Sequence, residues 1–306
     1  MNFNRNFFTN VPIEYAIPKR ANVVAVSDYF VGDMSGGAEL TLEAILKAST
    51  KSVFRVHSSS LTQEMAEQNK DKHWVFGNYT MVSHDVLDYF ARNKLKYSII
   101  EFDFKYCKFR APNYHFLNTG KICDCITTSY GKVIENFCLG SEKMFWMSAG
   151  QRDIFLKNVP SLKEKEHVVQ LSCFTPETFD LINSLKKPTE SRKPITAVLG
   201  EGSWIKGVAQ TVSWLKHKRV PFEQIPNLEY PKFLEELSKY KSLTFKPMDF
   251  DTCPRVVIEA KLLGCELVLN DNVLMKDDEW FNKSAEEIES YLKSKPKQFW
   301  VDFNEV

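Results

Sequence analysis

Short apolar runs recur along the sequence, and longer amphipathic stretches separate them. The runs of the first half are NVVAV (22–26), SVFRV (52–56), YSIIEF (97–102) and MFWM (144–147). Those of the second half are HVVQLS (167–172), ITAVL (195–199), SLTFKP (242–247) and ELVLND (266–271). Buried strands that alternate with helical segments are typical of parallel sheets with crossover helices. The pattern therefore predicts an α/β protein with a Rossmann-like layer structure in each half.

The length of the chain favours two domains. It has 306 residues, about twice the most common domain size, so each half can bury a core of its own. The polar, proline-bounded segment KKPTESRKP (186–194) lies inside the second half and is predicted to be a loop before a strand. A boundary near Pro160 gives domains over 1–160 and 161–285 and a tail over 286–306.

Charge and cysteine content limit the function classes. The chain has 40 Lys and Arg and 39 Asp and Glu, so its net charge is close to zero. The overall charge therefore does not indicate nucleic acid or an anionic membrane as partner. Residues 1–20 contain no continuous apolar run, and no later stretch approaches the roughly 18 apolar residues of a membrane span, so we expect a cytoplasmic protein. Seven cysteines without an export signal favour thiols or metal ligands over disulfides.

Two adjacent glycines mark the first strand-to-helix junction. A loop runs from Val26 to Gly36 and Gly37, and a helical face follows with Ala38, Leu42, Ile45 and Leu46. Adjacent glycines let the backbone approach a ligand, and the N-terminus of a helix offers free N–H groups to an anion. A plain tight turn explains the glycines equally well. The G-x-G-x-x-G spacing of a dinucleotide fingerprint is absent.

The segment LTFKPMDFDTCPRVVIEAKLLGCELVLND forms a second junction. Pro254 suits the first turn of a helix, and Gly264 stops that helix before the next strand. Asp251 and Thr252 should face the crevice at the carboxyl ends of the strands. Glu259 lies among apolar helix residues, where a carboxylate is costly to bury unless it accepts hydrogen bonds, for instance from the vicinal hydroxyls of a ribose. A solvated helix carboxylate is the alternative.

A third junction, ITAVLGEGSWIKGVAQTVSWLKH, places Lys206 at the start of a helix. Its ammonium can meet a phosphate that the helix dipole already favours. One such lysine is weak evidence by itself. Three strand-loop-helix units carry Gly, Lys and acidic residues in the loop between strand and helix. Together they predict a phosphorylated, hydroxyl-rich ligand between the two domains.

These motifs resemble the family-4 retaining glycosyltransferases. The resemblance rests on Gly-Gly-Ala-Glu (36–39), on Lys206-Gly207, and on Asp251-x7-Glu259 followed by an Ala and a Gly, where the family has Glu-x7-Glu. It covers roughly residues 22–285 and extends to short phage- and bacterium-associated members with a TCPRVVIEAKLLGC-like helix. It implies a GT-B fold, in which two Rossmann-like domains face each other across a cleft. Residues 1–160 would form the acceptor side and 161–285 would bind a nucleotide sugar. A phage-encoded member would work in the host cytoplasm.

The resemblance implies a role for each matching residue. Glu259 would hold the donor ribose, Asp251 the hydroxyls of the donor sugar, and Lys206 the diphosphate. The pair Gly36-Gly37 would contact the diphosphate or the transferred sugar. Many members have a basic residue near the position of Ser203, and Arg255 is expected to supply that missing diphosphate contact.

The implied reaction moves a hexosyl or pentosyl group from a nucleotide-diphosphate sugar to a hydroxyl of a glycan, a small molecule or a hydroxylated DNA base. Retention would follow front-face attack by the acceptor. Positive groups would stabilise the negative charge that grows on the leaving diphosphate. No Asp-x-Asp pair of the kind that holds a divalent cation in the other main glycosyltransferase fold is recognised, so we expect no catalytic metal. The alternative is a GT-B-like binding protein for nucleotide sugars or glycans that has lost turnover.

The acceptor side is predicted from the segment EFDFKYCKFRAP, which follows a buried strand. This position puts Glu101, Asp103, Lys105 and Arg110 near the interdomain cleft. Related enzymes often carry a His next to an Asp here, but this chain has phenylalanines around Asp103, so a His role is not transferred. Asp103 joins Lys206 and Asp251 as a candidate catalytic residue. His57, at the end of an earlier strand, is a further candidate, although a lone His is more often structural.

Two further features predict structure outside the cleft. The segment YCKFRAPNYHFLNTGKICDC has little apolar periodicity, and its Cys107, His115, Cys123 and Cys125 form a set that holds structural zinc in other proteins. Two buried thiols in Cys-x-Cys explain the pattern almost as well. The tail is predicted to contain a helix near 284–294 with Ser284 as N-cap, and to pack near the domain junction, as the C-terminal helix of GT-B enzymes commonly does.

Overall fold

The computed structural model describes residues 17–200 and 204–304. The position of Ser203 and most of the stretch 1–20 examined for an export signal lie outside these ranges. Within the described residues the strands form two parallel sheets, one of six strands and one of four.

The first sheet consists of β1 (Val23–Ser27), β2 (Val53–His57), β3 (His73–Phe76), β4 (Tyr97–Glu101), β5 (Lys143–Trp146) and β6 (Glu166–Val169). Their order is β2-β1-β3-β4-β5-β6. The helices that connect them are α1 (Gly37–Lys47), α2 (Gln63–Gln68), α3 (His84–Arg92), α4 (Pro112–Thr119), α5 (Ser129–Gly140) and α6 (Ala149–Asn158). We call this sheet with α1–α6 and the segment after β6 the first unit.

The second sheet consists of β7 (Lys193–Leu199), β8 (Phe222–Ile225), β9 (Tyr240–Phe245) and β10 (Glu266–Leu269), in the order β10-β9-β7-β8. With α8 (Val208–Lys218), α9 (Tyr230–Leu237) and α10 (Arg255–Leu262) it forms the second unit. Helix α7 (Pro176–Leu185) leads from the first sheet to the second, and α11 (Ala285–Asn304) ends the described chain.

The predicted strands are present, but one of them lies in the other sheet. The run at 167–172 was assigned to the second half, whereas β6 pairs with β5, with His167 opposite Met144 and Val169 opposite Trp146. A division at 160 therefore separates the last strand of the first sheet from its neighbours. The apolar run alone could not reveal this, because any such strand can hydrogen-bond to either sheet.

Alternation along the first strands places side chains on two faces of the sheet. Val24 and Val26 belong to a core that lies within the first unit, which also contains Trp74, Phe76 and Tyr97. Val23 and Ala25 point to the opposite face. That face joins a core that continues into the second unit through Leu243 and Val257. The two units therefore share apolar packing beneath the cleft.

The last helix is longer than predicted. Ser284 does cap it, because the Ser284 hydroxyl accepts from the Glu287 N–H at 3.2 Å and the Glu287 carboxylate accepts from the Ser284 N–H at 3.0 Å. The helix continues past 294 through Pro296 to Asn304. It contacts α1 of the first unit and α10 of the second. Among the described residues, no helix combines the length and apolar character that crossing a membrane requires.

Candidate active site

A cavity of about 170 Å³ lies at the carboxyl ends of both sheets. The first unit lines it with α1 and with the segments that follow β4, β5 and β6. The second unit lines it with the turn before α8 and the entrance to α10. The lining residues are Gly37, Ala38, Thr41, Phe102, Met147, Ser172, Lys206, Asp251, Thr252, Cys253, Pro254 and Arg255. Ligands of parallel α/β sheets bind at this edge, so the cavity is the candidate active site.

The N-terminus of α1 borders the cavity. Its N-cap residue, Gly36, has no side chain to cap it, but the buried Glu39 carboxylate in the first turn accepts from the N–H groups of Gly36 and Glu39. A Cβ atom on Gly37 would lie 3.6 Å from Cδ of Arg255, an ordinary contact distance, so the helix end lies beside that arginine. The helix dipole and the remaining first-turn N–H groups favour an anion at this point. Thr41, one turn further, has a buried hydroxyl without a hydrogen-bond partner among the described residues.

Helix α10 carries a buried ion pair between Arg255 and Glu259. Nε of Arg255 lies 3.4 Å from Oε1 of Glu259, and both side chains are almost fully buried. The Tyr230 hydroxyl donates to the same carboxylate oxygen at 2.6 Å. Burial raises the pKa of Glu259, while Arg255 and Tyr230 oppose that shift. The solvated carboxylate considered from the sequence is therefore excluded.

The Arg255 guanidinium is only partly satisfied. Its Nη1 donates to the Cys173 carbonyl, and its Nη2 lies 3.2 Å from the Tyr230 hydroxyl. Its carbon Cζ lies 3.9 Å from the centroid of the Phe174 ring, which is a cation–π distance. Nε has no hydrogen-bond partner with good geometry among the described residues. An arginine at the cavity wall thus retains a free donor.

Lys206 and Asp251 meet in the cavity. Nζ of Lys206 donates to Oδ2 of Asp251 at 2.7 Å, and the lysine side chain is 36% exposed. Lys206 lies in the short turn Trp204–Lys206, one residue ahead of the α8 N-cap Gly207, and not in the helix itself. Gly207 has φ 63° and its Cβ would overlap the Lys246 carbonyl, so only glycine allows this turn. The structure brings the two candidate residues together as predicted.

The segment Asp249-Phe250-Asp251 does have the Asp-x-Asp spacing, which the sequence interpretation overlooked. Its two carboxylates have different partners. Asp249 is fully buried, and its oxygens accept from the N–H groups of Tyr114 and Phe250 at 2.7 Å each. Asp251 pairs with Lys206. The two carboxylates therefore do not act as one pair here.

Two hydrogen bonds join the units at the base of the cavity. The Thr252 hydroxyl donates to the Phe102 carbonyl at 2.8 Å. The Ser172 hydroxyl donates to the Cys253 carbonyl at 2.7 Å. Thr252, which was predicted to contact a donor ligand, lines the cavity, and its side chain also links the entrance of α10 to the segment after β4. The base of the cavity is thus formed by direct contacts between loops of the first and the second unit.

A charged cluster follows β4. Nζ of Lys105 lies 3.0 Å from Oε1 of Glu101 and 3.2 Å from Oδ1 of Asp103. Nε of Arg110 donates to Oδ2 of Asp103 at 2.6 Å. Glu101 and Lys105 are completely buried, which corrects the expectation that they face an acceptor, whereas Asp103 and Arg110 are partly exposed. Burial raises the pKa of Glu101 to about 7, and the neighbouring cations Lys105 and Arg110 lower the pKa of Asp103 against its own burial.

His57 lies at the end of β2, apart from this cluster. Its side chain is 43% exposed, Nδ1 lies 3.4 Å from the Asp28 carbonyl, and Nε2 lies 3.7 Å from Oδ2 of Asp33. The residues that line the cavity do not include it. An acceptor role for His57 gains no support from this position.

The four predicted metal ligands do come together. The ligand atoms of Cys107, His115, Cys123 and Cys125 all lie within 4.8 Å of one another. The cluster forms where α4 meets the turn before α5, beside the charged cluster.

Several residues of the site carry no signal in the sequence. Tyr230 precedes a proline at the start of α9, and Asp249 lies two residues ahead of the motif aspartate. Thr41 is one polar residue in an amphipathic helix. Only the rule that strand ends converge, applied to β8 and β9 as well, could have drawn attention to Tyr230 and Asp249.

Two Rossmann-like units with a cleft at the carboxyl ends of their parallel sheets, and a last helix that contacts both, define the GT-B fold. Comparison with solved structures confirms this fold. No protein-family model matches the chain, and neither does any curated protein sequence.

Three solved structures illustrate the likeness. The trehalose-6-phosphate synthase OtsA is 10% identical, with a TM-score of 0.58 over 94% of this chain and 99% of its own. The α,α-trehalose-phosphate synthase (UDP-forming) of Burkholderia xenovorans, in complex with glucose-6-phosphate, is 9% identical, with a TM-score of 0.56 over 93% and 96%. The catalytic domain of starch synthase IV from Arabidopsis thaliana, bound to ADP and acarbose, is 9% identical, with a TM-score of 0.55 over 94% and 92%. At these identities the likeness concerns the fold.

Proposed function

We propose that this protein is a glycosyltransferase that moves a sugar from a nucleotide-diphosphate sugar to a hydroxyl acceptor. One observation carries the proposal. Unsatisfied donors of Thr41 and Arg255, the ammonium of Lys206 and the N-terminus of α1 converge on a single interdomain cavity. Such a set suits a diphosphate, because it offers positive charge and free N–H and O–H groups at once. The GT-B fold and the names of the structures that share it agree with this activity.

The ribose subsite would lie at Glu259. Its carboxylate now accepts from Tyr230 and pairs with Arg255, and ribose hydroxyls can take the place of Arg255. A bound nucleotide would draw Arg255 toward the diphosphate, where its unpaired Nε gains a partner. Tyr230 would then remain as the neighbour that orients the carboxylate. This division of roles follows the family-4 likeness of Asp251-x7-Glu259.

The chemistry would depend on charge at the leaving group. Negative charge grows on the departing diphosphate while the sugar becomes oxocarbenium-like, so Lys206 and Arg255 stabilise the transition state more than the ground state. Asp251, held by Lys206 at 2.7 Å, is suited to accept hydrogen bonds from the sugar hydroxyls. Family likeness favours retention by front-face attack and a reaction without a catalytic metal.

The acceptor would approach from the first unit. Asp103 and Arg110 are the partly exposed members of the charged cluster, and the buried Glu101 and Lys105 would position them. The acceptor class proposed from the sequence stays the same: a glycan, a small molecule or a hydroxylated DNA base. The sugar phosphate of the Burkholderia structure belongs to that enzyme.

A thermal-shift screen tests the proposal with the full chain and a panel of nucleoside diphosphates and nucleotide sugars. A donor at a hundred times its dissociation constant adds about 2.7 kcal/mol of stability, so one member should raise the Tm clearly. Release of the nucleoside diphosphate should then be measured with the donor that binds. A panel without any stabilising nucleotide contradicts the proposal. Binding without release, even with a mixture of hydroxyl acceptors, favours the GT-B-like binding protein instead.

A further inference from the structure

The side chains of Cys107, His115, Cys123 and Cys125 form a compact cluster away from the interdomain cavity. Nδ1 of His115 lies 3.7 Å from Sγ of Cys107 and 3.4 Å from Sγ of Cys125. All four ligand atoms lie within 4.8 Å of one another. The edge of a zinc tetrahedron is about 3.3–3.8 Å for the usual Zn–N and Zn–S bonds. We propose that these four residues bind one structural Zn²⁺, which holds α4 against the second unit.

The histidine has the orientation that a zinc ligand needs. Its Nδ1 faces two thiols, so the other ring nitrogen is free to donate a proton. That nitrogen, Nε2, lies 3.9 Å from Oδ1 of Asp124. Zinc-bound histidines commonly direct their second N–H to a carboxylate, which fixes the tautomer and raises the basicity of the ligand nitrogen. Asp124 lies between the two cysteines of Cys-x-Cys and is well placed for this role.

Helix α4 buries few apolar side chains, which explains why a metal would be needed. The one buried residue among its eight is His115. Its apolar side chains Phe116 and Leu117 are 50% and 57% exposed, and Ile122 just beyond it is 83% exposed. A short helix that buries only a histidine gains little from the hydrophobic effect. Zinc binding can supply the missing folding free energy, because structural zinc sites form together with the fold.

The cluster is sheltered but reachable. Cys107, Cys125 and His115 are buried, and Cys123 is half-buried. A surface cavity of about 310 Å³, lined in part by His115, Asp124 and Cys125, borders the cluster. An ion can therefore enter without unfolding the first unit, and water is largely kept away from the thiolates.

Helix α4 contacts the second unit close to the candidate active site. The Tyr114 N–H in its first turn donates to Asp249 of the second unit, and the Tyr114 ring packs against Trp204 at 4.7 Å between centroids. Both partners adjoin residues of the candidate active site, Asp251 and Lys206. Zinc would thus fasten the segment of the first unit that contacts the donor side of the second.

Metal analysis of the full chain, purified without a polyhistidine tag and without chelators, tests this proposal. We expect about one zinc per chain in the wild type. Cys125→Ser should lose at least about four-fifths of that zinc, because three ligands hold the ion far more weakly than four. The matched control is Cys138→Ala, which removes an equally buried thiol from α5 outside the cluster, and it should keep its zinc.

A second measurement covers the case in which Cys125→Ser does not fold. Wild-type protein is unfolded in denaturant with a chromogenic chelator present, and released zinc is counted per chain. Replacement by Co²⁺ should also give the visible absorption of a tetrahedral thiolate site. Folded wild type with less than about 0.2 zinc per chain, iron in place of zinc, or full zinc in Cys125→Ser overturns the proposal. None of these readouts involves sugar transfer, so the result is independent of the proposed enzymatic activity.

Discussion

The Asp249 carboxylate accepts a hydrogen bond from the Tyr114 backbone N–H at 2.7 Å, although 135 residues separate them in the chain. Tyr114 lies in the first turn of α4, whose own N-cap residue, Ala111, has no side-chain acceptor. A carboxylate of the second unit thus caps a helix of the first. The bond combines helix capping with the alignment of the two units.

Removal of this cap should destabilise the protein. We expect Asp249→Ala to lower the free energy of unfolding by about 1–2 kcal/mol, the usual cost of a lost N-cap. Asp249→Asn keeps an acceptor oxygen and should lose less. Urea unfolding measures both. Asp271→Ala is the control, since its side chain is fully exposed, and equal stability of the Asp249→Ala and Asp271→Ala variants would contradict the capping role.

Glu259→Gln tests the proposed ribose subsite. The amide keeps the volume and one acceptor oxygen, but it loses the charge that attracts ribose hydroxyls and Arg255. Nucleotide affinity should fall by about 1.5–3 kcal/mol, the range for hydrogen bonds to charged groups, measured by calorimetry. The same change at the exposed Glu266 should leave affinity unaltered. A Glu259→Gln protein that is folded and binds nucleotide like wild type removes Glu259 from the donor site.

Lys206→Ala tests the proposed stabilisation of the leaving group. Loss of one such donor typically lowers kcat by about 10²–10³, with a smaller effect on KM because the charge develops only in the transition state. Initial rates of donor turnover give both constants. Lys276→Ala, which removes a lysine paired with the exposed Asp271 and Asp277, should leave kcat alone. Wild-type kcat in Lys206→Ala would rule out the role.

Buried strands could be predicted from the sequence more easily than exposed ones. β1 and β4 are buried along their whole length, so they are continuous apolar runs that any sequence pattern reveals. β8 lies at a sheet edge with Glu223 and Gln224 exposed, and it carried no such signal. β6 was recognised as a strand but placed in the wrong sheet, since strand pairing is decided by tertiary packing and not by composition.

Some residues of the candidate site could be predicted from the sequence and others could not. Lys206 and Asp251 were predicted to lie together because the ends of parallel strands converge, and the family resemblance added Arg255; all three line one cavity. Tyr230 and Asp249 were missed, because their roles depend on partners 29 and 135 residues away. Glu101 and Lys105 were expected at the cleft, yet they are paired with each other in the interior. A charged residue at a strand end predicts position but not exposure.

Trp300 tests how the last helix joins the two units. Its indole Nε1 donates to the Ile45 carbonyl of α1 at 2.7 Å, and the ring packs in the core shared by both units. Trp300→Ala should lower the free energy of unfolding by about 3–5 kcal/mol. The neighbour Val301 is 48% exposed, so Val301→Ala is the control and should change stability by less than about 0.5 kcal/mol. Similar denaturation midpoints for the two variants would show that the helix end does not hold the units.

Glu101 should make stability depend on pH in a specific window. Burial raises the pKa of its carboxyl to about 7, from an ordinary value of 4.5. Between these two values the folded protein holds a proton that the unfolded chain has released, so this group's contribution to stability is full below pH 4.5 and is lost as the pH rises toward 7. Glu101→Gln removes that titration while it keeps an acceptor for Lys105.

The slope of unfolding free energy against pH distinguishes the two proteins. Between about pH 5 and 7 the unfolding free energy of the wild type should fall more steeply with pH than that of Glu101→Gln. A difference of one bound proton corresponds to about 1.4 kcal/mol per pH unit, which is the largest difference in slope expected. Other titrating groups are common to both proteins and cancel in the difference. Glu286→Gln, at an exposed position of α11, should keep the wild-type slope. Parallel curves for wild type and Glu101→Gln would mean that Glu101 is ionised in the folded protein throughout this range, as a fully charged pair with Lys105 requires.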